Sequence, residues 1–303
     1  MTDMSSHPNA VAVPLDGSTI AEAAVPVAAA IADRTGAVIH LVHVRRMVPA
    51  DDAEVEPAES YVARVARGLT ERGYSVTAAL LPEDPPELLK PTPSPGAIAR
   101  QIVDYAVTQD ADVIIMTTHG RSGFSRRWFG SVTDAMLRAS SLPVLVVRKR
   151  AGKPVDQGFP RILIATGGDD AGPRIMEAAR SITRPFDPQY MVVRILPLAY
   201  TVVGEVVPAT VVYASMTAVD EEDAAGRELA QLARGLESEN VQIVTRLHAV
   251  PARAILELAA EHDVDLVVVG TRARGRIDRI LIGSTADKVA RGARCSVLVV
   301  PAG

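Results

Sequence analysis

The chain encodes a duplicated α/β fold: two repeated domains, each a five-stranded parallel sheet with helices on both faces. Three observations predict it. Asp112-Val-Ile-Ile-Met-Thr-Thr118 is echoed by Asp265-Leu-Val-Val-Val-Gly-Thr271, an offset of 265 − 112 = 153. At that same offset Ala99-Arg100-x-Ile102, Gly130-Ser131 and Val144-Leu-Val-Val147 recur as Ala252-Arg253-x-Ile255, Gly283-Ser284 and Val297-Leu-Val-Val300. A repeat this long is a duplicated domain, since solenoid units are much shorter. Short apolar runs also alternate with helical stretches, and strands separated by helices require parallel crossovers. Finally, 48% of the 303 residues are hydrophobic but only 4% are aromatic. The apolar mass is therefore Ala, Val, Leu and Ile, which suits buried parallel strands covered by helices.

Residues 1–9 read as a flexible N-terminus and 10–148 as the first domain. Val11 to Leu15 is the first strand. Thr19 with Glu22 three residues later has the form of a capping box for the Ala-rich helix that follows. Pro26 lies inside that segment and either kinks it or moves its true start, and Gly36 ends it. A strand follows at Val38 to Val44, a helix from Ser60 to Arg72 that stops at Gly73, and a strand at Ser75 to Leu80. Six prolines between Pro82 and Pro95 break regular structure and predict an extended connection. A helix over Ala97 to Thr108, a strand over Asp112 to Thr117, a helix over Ser131 to Ser140 and a strand from Val144 to Arg148 complete the unit.

Residues 149–160, with Lys149, Arg150, Gly152, Pro154 and Gly158, read as a linker, and 161–303 as the second domain. Its strands are predicted at Ile162 to Thr166, Tyr190 to Leu196, Val241 to Leu247, Asp265 to Gly270 and Ser296 to Val300. Its helices are predicted at Pro173 to Thr183, Thr217 to Leu236, Pro251 to His262 and Ser284 to Arg291. Ile195 to Ala214 is of membrane-spanning length, but Pro197, Gly204, Glu205 and Pro208 interrupt it, which points to a hinge loop or partner-facing flap rather than a span.

Charge and motif inventory exclude several classes. Thirty-two Lys and Arg against 36 Asp and Glu give a net charge of −4, with no global field towards nucleic acid or an anionic membrane. A single cysteine, Cys295, cannot close an intrachain disulfide and reads as a small packing residue in a reducing, cytoplasmic protein. The first ten residues lack the basic and apolar regions of an export signal. There is no HExxH motif or Cys/His cluster, and no GxGxxG or GxxxxGK[ST] loop. His40 and His43 read as packed strand residues, and no catalytic residue is identified.

In an open parallel sheet a ligand crevice forms at the carboxyl ends of the strands where the strand order reverses. Pro14-Leu-Asp16-Gly17-Ser18 ends the first strand, and Thr118-His-Gly120-Arg-Ser-Gly123 follows the fourth. Gly130-Ser131 directly precedes a helix, whose unpaired N–H groups can receive a phosphate. Asp16 repels phosphate, so its role is to accept from a base or ribose hydroxyl or to hold a divalent cation.

The order Pro14-x-Asp16-Gly17-Ser18, His119-Gly120-x9-Gly130-Ser131 and Pro143-Val-Leu-Val-Val147 resembles the universal stress protein family, and the whole chain resembles its tandem two-domain form. The resemblance implies a strand order of 3-2-1-4-5 in each domain and a Gly-x2-Gly-x9-Gly-Ser/Thr signature around ATP. It assigns Pro14 and Asp16 to the nucleoside side, Val44 to backbone recognition of adenine, and Met116 to the ribose. Gly120, Gly130, Ser131 and Val132 fall on the phosphate path. Thr117 replaces the first signature glycine, where its side chain can crowd or contact the sugar. In the second repeat Gly270, Gly283 and Ser284 are kept, but Ala273 replaces a glycine and Gly167 the aspartate.

The resemblance further implies antiparallel pairing of the last strands of the two domains and association of two chains as a homodimer. The leading expectation is a nonenzymatic, ATP-responsive cytoplasmic stress protein, with Mg²⁺ accompanying the nucleotide and Asp16 in or near its coordination shell. Repeat one is expected to hold the stronger site. A nucleotide-independent structural or protein-interaction role with an unidentified protein partner, and slow ATP hydrolysis, stay open as alternatives.

Overall fold

The computed structural model describes residues 7–44, 56–82, 94–118, 130–149, 158–167, 170–196, 210–271 and 283–302, with backbone alone over 210–219. The first domain runs β1 (Ala10–Pro14), α1 (Val25–Thr35), β2 (Val38–Val44), α2 (Ala58–Thr70), β3 (Val76–Leu81), α3 (Pro95–Thr108), β4 (Val113–Thr117), α4 (Ser131–Ala139) and β5 (Val144–Val147). The second runs β6 (Arg161–Ala165), α5 (Gly172–Thr183), β7 (Gln189–Leu196), α6 (Thr210–Ala233), β8 (Val241–Leu247), α7 (Pro251–Glu261), β9 (Leu266–Gly270), α8 (Ser284–Gly292) and β10 (Ser296–Val300). The ten strands form one sheet in the order β3-β2-β1-β4-β5-β10-β9-β6-β7-β8, so each half has the predicted 3-2-1-4-5 order.

Every pairing within a half is parallel; only β5 and β10 meet antiparallel, with Leu145 opposite Leu298. The two final strands thus join edge to edge inside one chain, as the resemblance implied. Because strand side chains alternate, Val11 and Val13 face one core and Ala12 the other. The β4 and β5 residues and Ala10 to Val13 of β1 are buried on both faces, which explains their nearly unbroken apolar runs. Cys295 is buried in one of these cores.

Four helices, α1, α3, α5 and α7, carry a proline in the first turn, where its missing N–H costs no helical bond. This locates the start of α1. The predicted Thr19/Glu22 capping box does not form: Ser18 Oγ instead accepts from Ala21 N at 3.1 Å, and a 3-10 turn over Ala21–Ala24 leads into α1 at Val25. Glu22 pairs with Arg64 on α2 at 2.9 Å.

The repeated aspartates at the head of the fourth strands also acquire a role. Asp112 Oδ2 accepts from Asn9 N (2.7 Å) and Ala10 N (3.2 Å), and Asp265 Oδ2 accepts from Arg161 N (3.1 Å). Each carboxylate therefore locks the entry of its domain's first strand. The seam between the domains carries polar contacts as well. Arg148 donates to Ala290 O and Ala293 O, both at 2.7 Å, at the end of α8, and Asp134 on α4 pairs with Arg291 on α8.

Most of the predicted connection 82–95 and most of Ile195 to Ala214 lie outside the described residues; within the latter, β7 continues to Leu196 and α6 begins at Thr210. Among the described residues no helix is long and apolar enough to cross a membrane.

Candidate functional site

The strand order reverses between β1 and β4, which pair in parallel, and the Asp16 turn and Thr118 lie on the carboxyl edge at that point. Leu15 N donates to Val42 O at 2.8 Å, which holds the chain beside β2 for one residue past β1. Gly17 then takes a left-handed φ of 87°, a turn for which glycine has no steric cost. Inside the turn Asp16 Oδ1 accepts from Ser18 N (3.0 Å) and Ser18 Oγ (2.6 Å), so one carboxylate oxygen is oriented by its own loop.

Across the switch point, Gly130 N donates to Thr118 O at 2.7 Å, which seats the start of α4 directly after β4. Gly130 caps α4 with φ −58° and ψ 150°, and no side chain caps that helix. The first-turn N–H groups of Ser131, Val132 and Thr133 thus lack intrahelical partners. Ser131 is exposed and Val132 half-buried. Thr133 Oγ1 donates to Thr117 O at 3.1 Å, tying the helix to the strand end. Pro14 is half-buried at the end of β1. Val44, Met116 and Thr117 are buried, with Val44 and Met116 in the core beside α3 and α4. What these two offer at the strand ends is main chain.

Gly120 and the rest of 119–129 lie outside the described residues, as do 272–282 with Ala273 and its neighbouring arginines. Among the described residues there is no group of three or more His, Cys, Asp or Glu able to hold a metal ion.

Repeat two shows the equivalent crevice as a cleft of about 290 Å³. Thr166, Gly167, Arg194, Gly270, Thr271 and Thr285 are among its walls. Thr166 N donates to Val193 O at 3.0 Å, the counterpart of the Leu15 to Val42 bond. Gly283 caps α8 with φ −58° and ψ 146°, again without a side-chain cap, and Ser284 is exposed. The retained Gly270 lines the cleft with Ile175 packed against it. A β-carbon there would lie 2.6 Å from Ile175 Cδ1.

The comparisons with known proteins follow this geometry. Residues 9–148 and 158–301 each match the model of the universal stress protein family. The chain belongs to the universal stress protein family. A universal stress protein of Mycolicibacterium smegmatis is 28% identical over 301 residues, covering 96% of each chain, so the tandem form is shared along nearly the full length. One from Methanocaldococcus jannaschii is 32% identical over 144 residues, 47% of this chain and 82% of its own. Among solved structures, one from Archaeoglobus fulgidus superposes with a TM-score of 0.67 at 20% identity, over 97% of this chain and 99% of that one, a likeness of fold.

Two polar contacts of this universal stress protein, one of them made by a histidine read from sequence as a packed strand residue, were not foreseen. His40 Nδ1 and Thr77 Oγ1 are 2.6 Å apart across β2 and β3, and burial holds the imidazole pKa down. Tyr61, in the first turns of α2, lies against His43 with ring centroids 6.1 Å apart. Burial, followed by the nearby charges of Glu22 and Asp16, lifts its phenol well above the ordinary tyrosine range. A lone Tyr in an amphipathic helix carries no local sequence signal beyond core packing.

Proposed function

We propose that this universal stress protein binds ATP in the strand-end cleft of its first repeat and passes the bound state to a partner-facing surface, without a catalytic reaction. The supporting observation is the placement of two complementary ends at one switch point. The Asp16 turn supplies an oriented acceptor for base or sugar, and the uncapped start of α4 supplies N–H donors for phosphate. Pro14, Val44 and Met116 fall to the nucleoside end, and Ser131 and Val132 to the phosphate end; Gly120 extends the phosphate path in the same reading. Asp16 fits Mg²⁺ only as a single carboxylate. That is sufficient where nucleotide phosphates and water complete the shell.

The cleft of repeat two is the weaker ATP site in this reading. Gly167 leaves it without the carboxylate, and Ile175 fills the space beside Gly270. Those features, with the burial of Thr117, favour the second reading: a nucleotide-independent interaction protein. Equilibrium titration of the whole chain with ATP, with and without Mg²⁺, separates the two, because absence of saturable binding leaves only the second.

The proposal places the protein in the cytoplasm and has two chains associate. The internal β5–β10 pairing leaves β3 and β8 as the outer edges available for that contact. Sedimentation over a wide concentration range showing monomer throughout would refute the homodimer.

A further inference from the structure

The strand-end cleft of repeat two carries a charge of opposite sign to that of its counterpart in repeat one. Val42 O and Val193 O accept the equivalent bonds from Leu15 N and Thr166 N, so Gly167 stands at the place of Asp16 and Arg194 at the place of His43. Among the described residues that wall the cleft, Arg194 is the one charged side chain and there is no carboxylate. The other polar side chains there are the hydroxyls of Thr166, Thr271 and Thr285. Glu228 on α6 holds Arg194 through Nη1 alone. The Nε and Nη2 donors are engaged by no other described residue. The Glu228 side chain is 61% exposed against 21% for Arg194. Water therefore competes for the carboxylate while the guanidinium stays against the protein, and a pair of this kind is weak.

We propose that the cleft of repeat two binds a small aliphatic monocarboxylate, its carboxylate on Arg194 and its hydrocarbon body on the apolar wall, with Glu228 as the internal competitor for the guanidinium. The inference goes beyond the ATP reading and does not need it. The cleft measures about 290 Å³, which suits a compact molecule, since ligand pockets span roughly 300–1,000 Å³. Ile175, Val193, Ile195, Ile255 and Val269 line it and favour an apolar body. The guanidinium fork matches a carboxylate through two parallel N–H bonds. Charge sets the valence. A guanidinium already shared with Glu228 balances a single negative charge, whereas a dicarboxylate or a phosphate ester brings a second one that no described wall residue meets. The exchange of Asp16 for Gly167 then acquires a reason, because a carboxylate on that turn would repel the ligand.

The test is a saturation-transfer NMR titration of the full chain with isovalerate, with isoamyl alcohol as its uncharged analogue and with succinate and inorganic phosphate as more highly charged anions. Arg194→Met keeps a long side chain on the wall and removes the cation; urea midpoints show whether each variant is folded. The expected result is saturable isovalerate binding in the wild type, weakened about tenfold in Arg194→Met, the equivalent of one charge-assisted hydrogen bond. Isoamyl alcohol binding should not change. Glu228→Gln should tighten isovalerate by removing the competing carboxylate, and Gly167→Asp should weaken it, so these two variants decide the matter if Arg194→Met does not fold. Unchanged isovalerate affinity in Arg194→Met, equal losses of acid and alcohol, or weaker binding in Glu228→Gln would each overturn the proposal. Tighter binding of succinate or phosphate than of isovalerate would overturn the monoanion. A wild type that binds ATP but not isovalerate overturns this inference alone, while one that binds isovalerate but not ATP upholds it and refutes the nucleotide reading.

Discussion

Ile175 stands in the space that a side chain on Gly270 would need: its Cδ1 lies 2.6 Å and its Cγ1 3.1 Å from the position of a β-carbon there. Repeat one carries the reverse combination. Thr117 occupies the position of Gly270, and Ala24 that of Ile175, since 24 − 10 and 175 − 161 both place the residue fourteen after the start of its domain's first strand. Ala24 is fully buried in a turn that packs on β4, as α5 packs on β9. One layer of the core is thus filled from the strand in one domain and from the helix in the other.

Gly270→Thr should therefore overpack repeat two and cost about 1–3 kcal/mol. Adding Ile175→Ala, which recreates the Thr117 and Ala24 pairing, should recover part of that loss. Urea midpoints of the two single variants and the double variant measure the coupling. Additive losses would show that the two side chains do not share the space.

This exchange explains why the site was only partly legible in the sequence. The repeat was visible at an offset of 153 because β4, β5, β9 and β10 are apolar on both faces and tolerate few residue types. The first strands and the helices after them correspond at 175 − 24 = 151, so the glycine's packing partner falls out of that register. Strands β2, β8 and β10 have the predicted bounds, whereas α1 starts later than expected. There a hydroxyl two positions beyond Asp16 competes for the turn, and proline fixes the first helical residues. Asp16 and Gly130 could be placed at one edge once the family resemblance supplied the strand order. Tyr61 could not, because its partner His43 is 61 − 43 = 18 residues away and its hydroxyl has no sequence signature.

Asp134 links the two domains. It pairs with Arg138 at 3.0 Å on its own helix and with Arg291 across the seam, while Arg291 also holds Asp287 at 3.0 Å. Burial alone would raise the Asp134 pKa, but the two guanidinium groups outweigh it and hold the carboxyl below its ordinary value. A folded pKa below the unfolded one adds stability that is fully present above the unfolded value and is lost as pH falls through the folded one. Asp134→Asn should cost about 0.5–1 kcal/mol near neutral pH, since the pair is partly exposed. The difference from wild type should vanish in acid below the normal aspartate range. A deficit in urea stability that persists there would assign the effect to packing rather than charge.

Arg148 has no equivalent in the other domain, where 148 + 153 = 301 is Pro301. Its guanidinium is partly buried, which lowers its pKa, and it bonds Ala290 O and Ala293 O at the C-terminal end of α8. A cation there satisfies carbonyls that the helix leaves open and complements its dipole. Arg148→Met keeps much of the volume and removes both bonds, so a loss of about 2–3 kcal/mol is expected. Amide exchange should accelerate first in α8. Uniform acceleration across both domains would instead mean that Arg148 supports the whole fold.

The two helix starts allow the repeats to be compared on equal terms. Gly130 and Gly283 both have φ −58° with extended ψ, a conformation open to any L residue. A valine at either position therefore tests access to the donors rather than backbone strain. With the ATP site in repeat one, Gly130→Val should block phosphate approach and abolish most binding, while Gly283→Val should leave it intact. Ser131→Ala removes one side-chain donor and should cost about 0.5–1.5 kcal/mol of binding energy if that hydroxyl reaches a phosphate. Calorimetric titration of the three variants reads the outcome. Retained affinity in Gly130→Val together with its loss in Gly283→Val would move the site to repeat two, and with it the requirement for the carboxylate that Gly167 lacks.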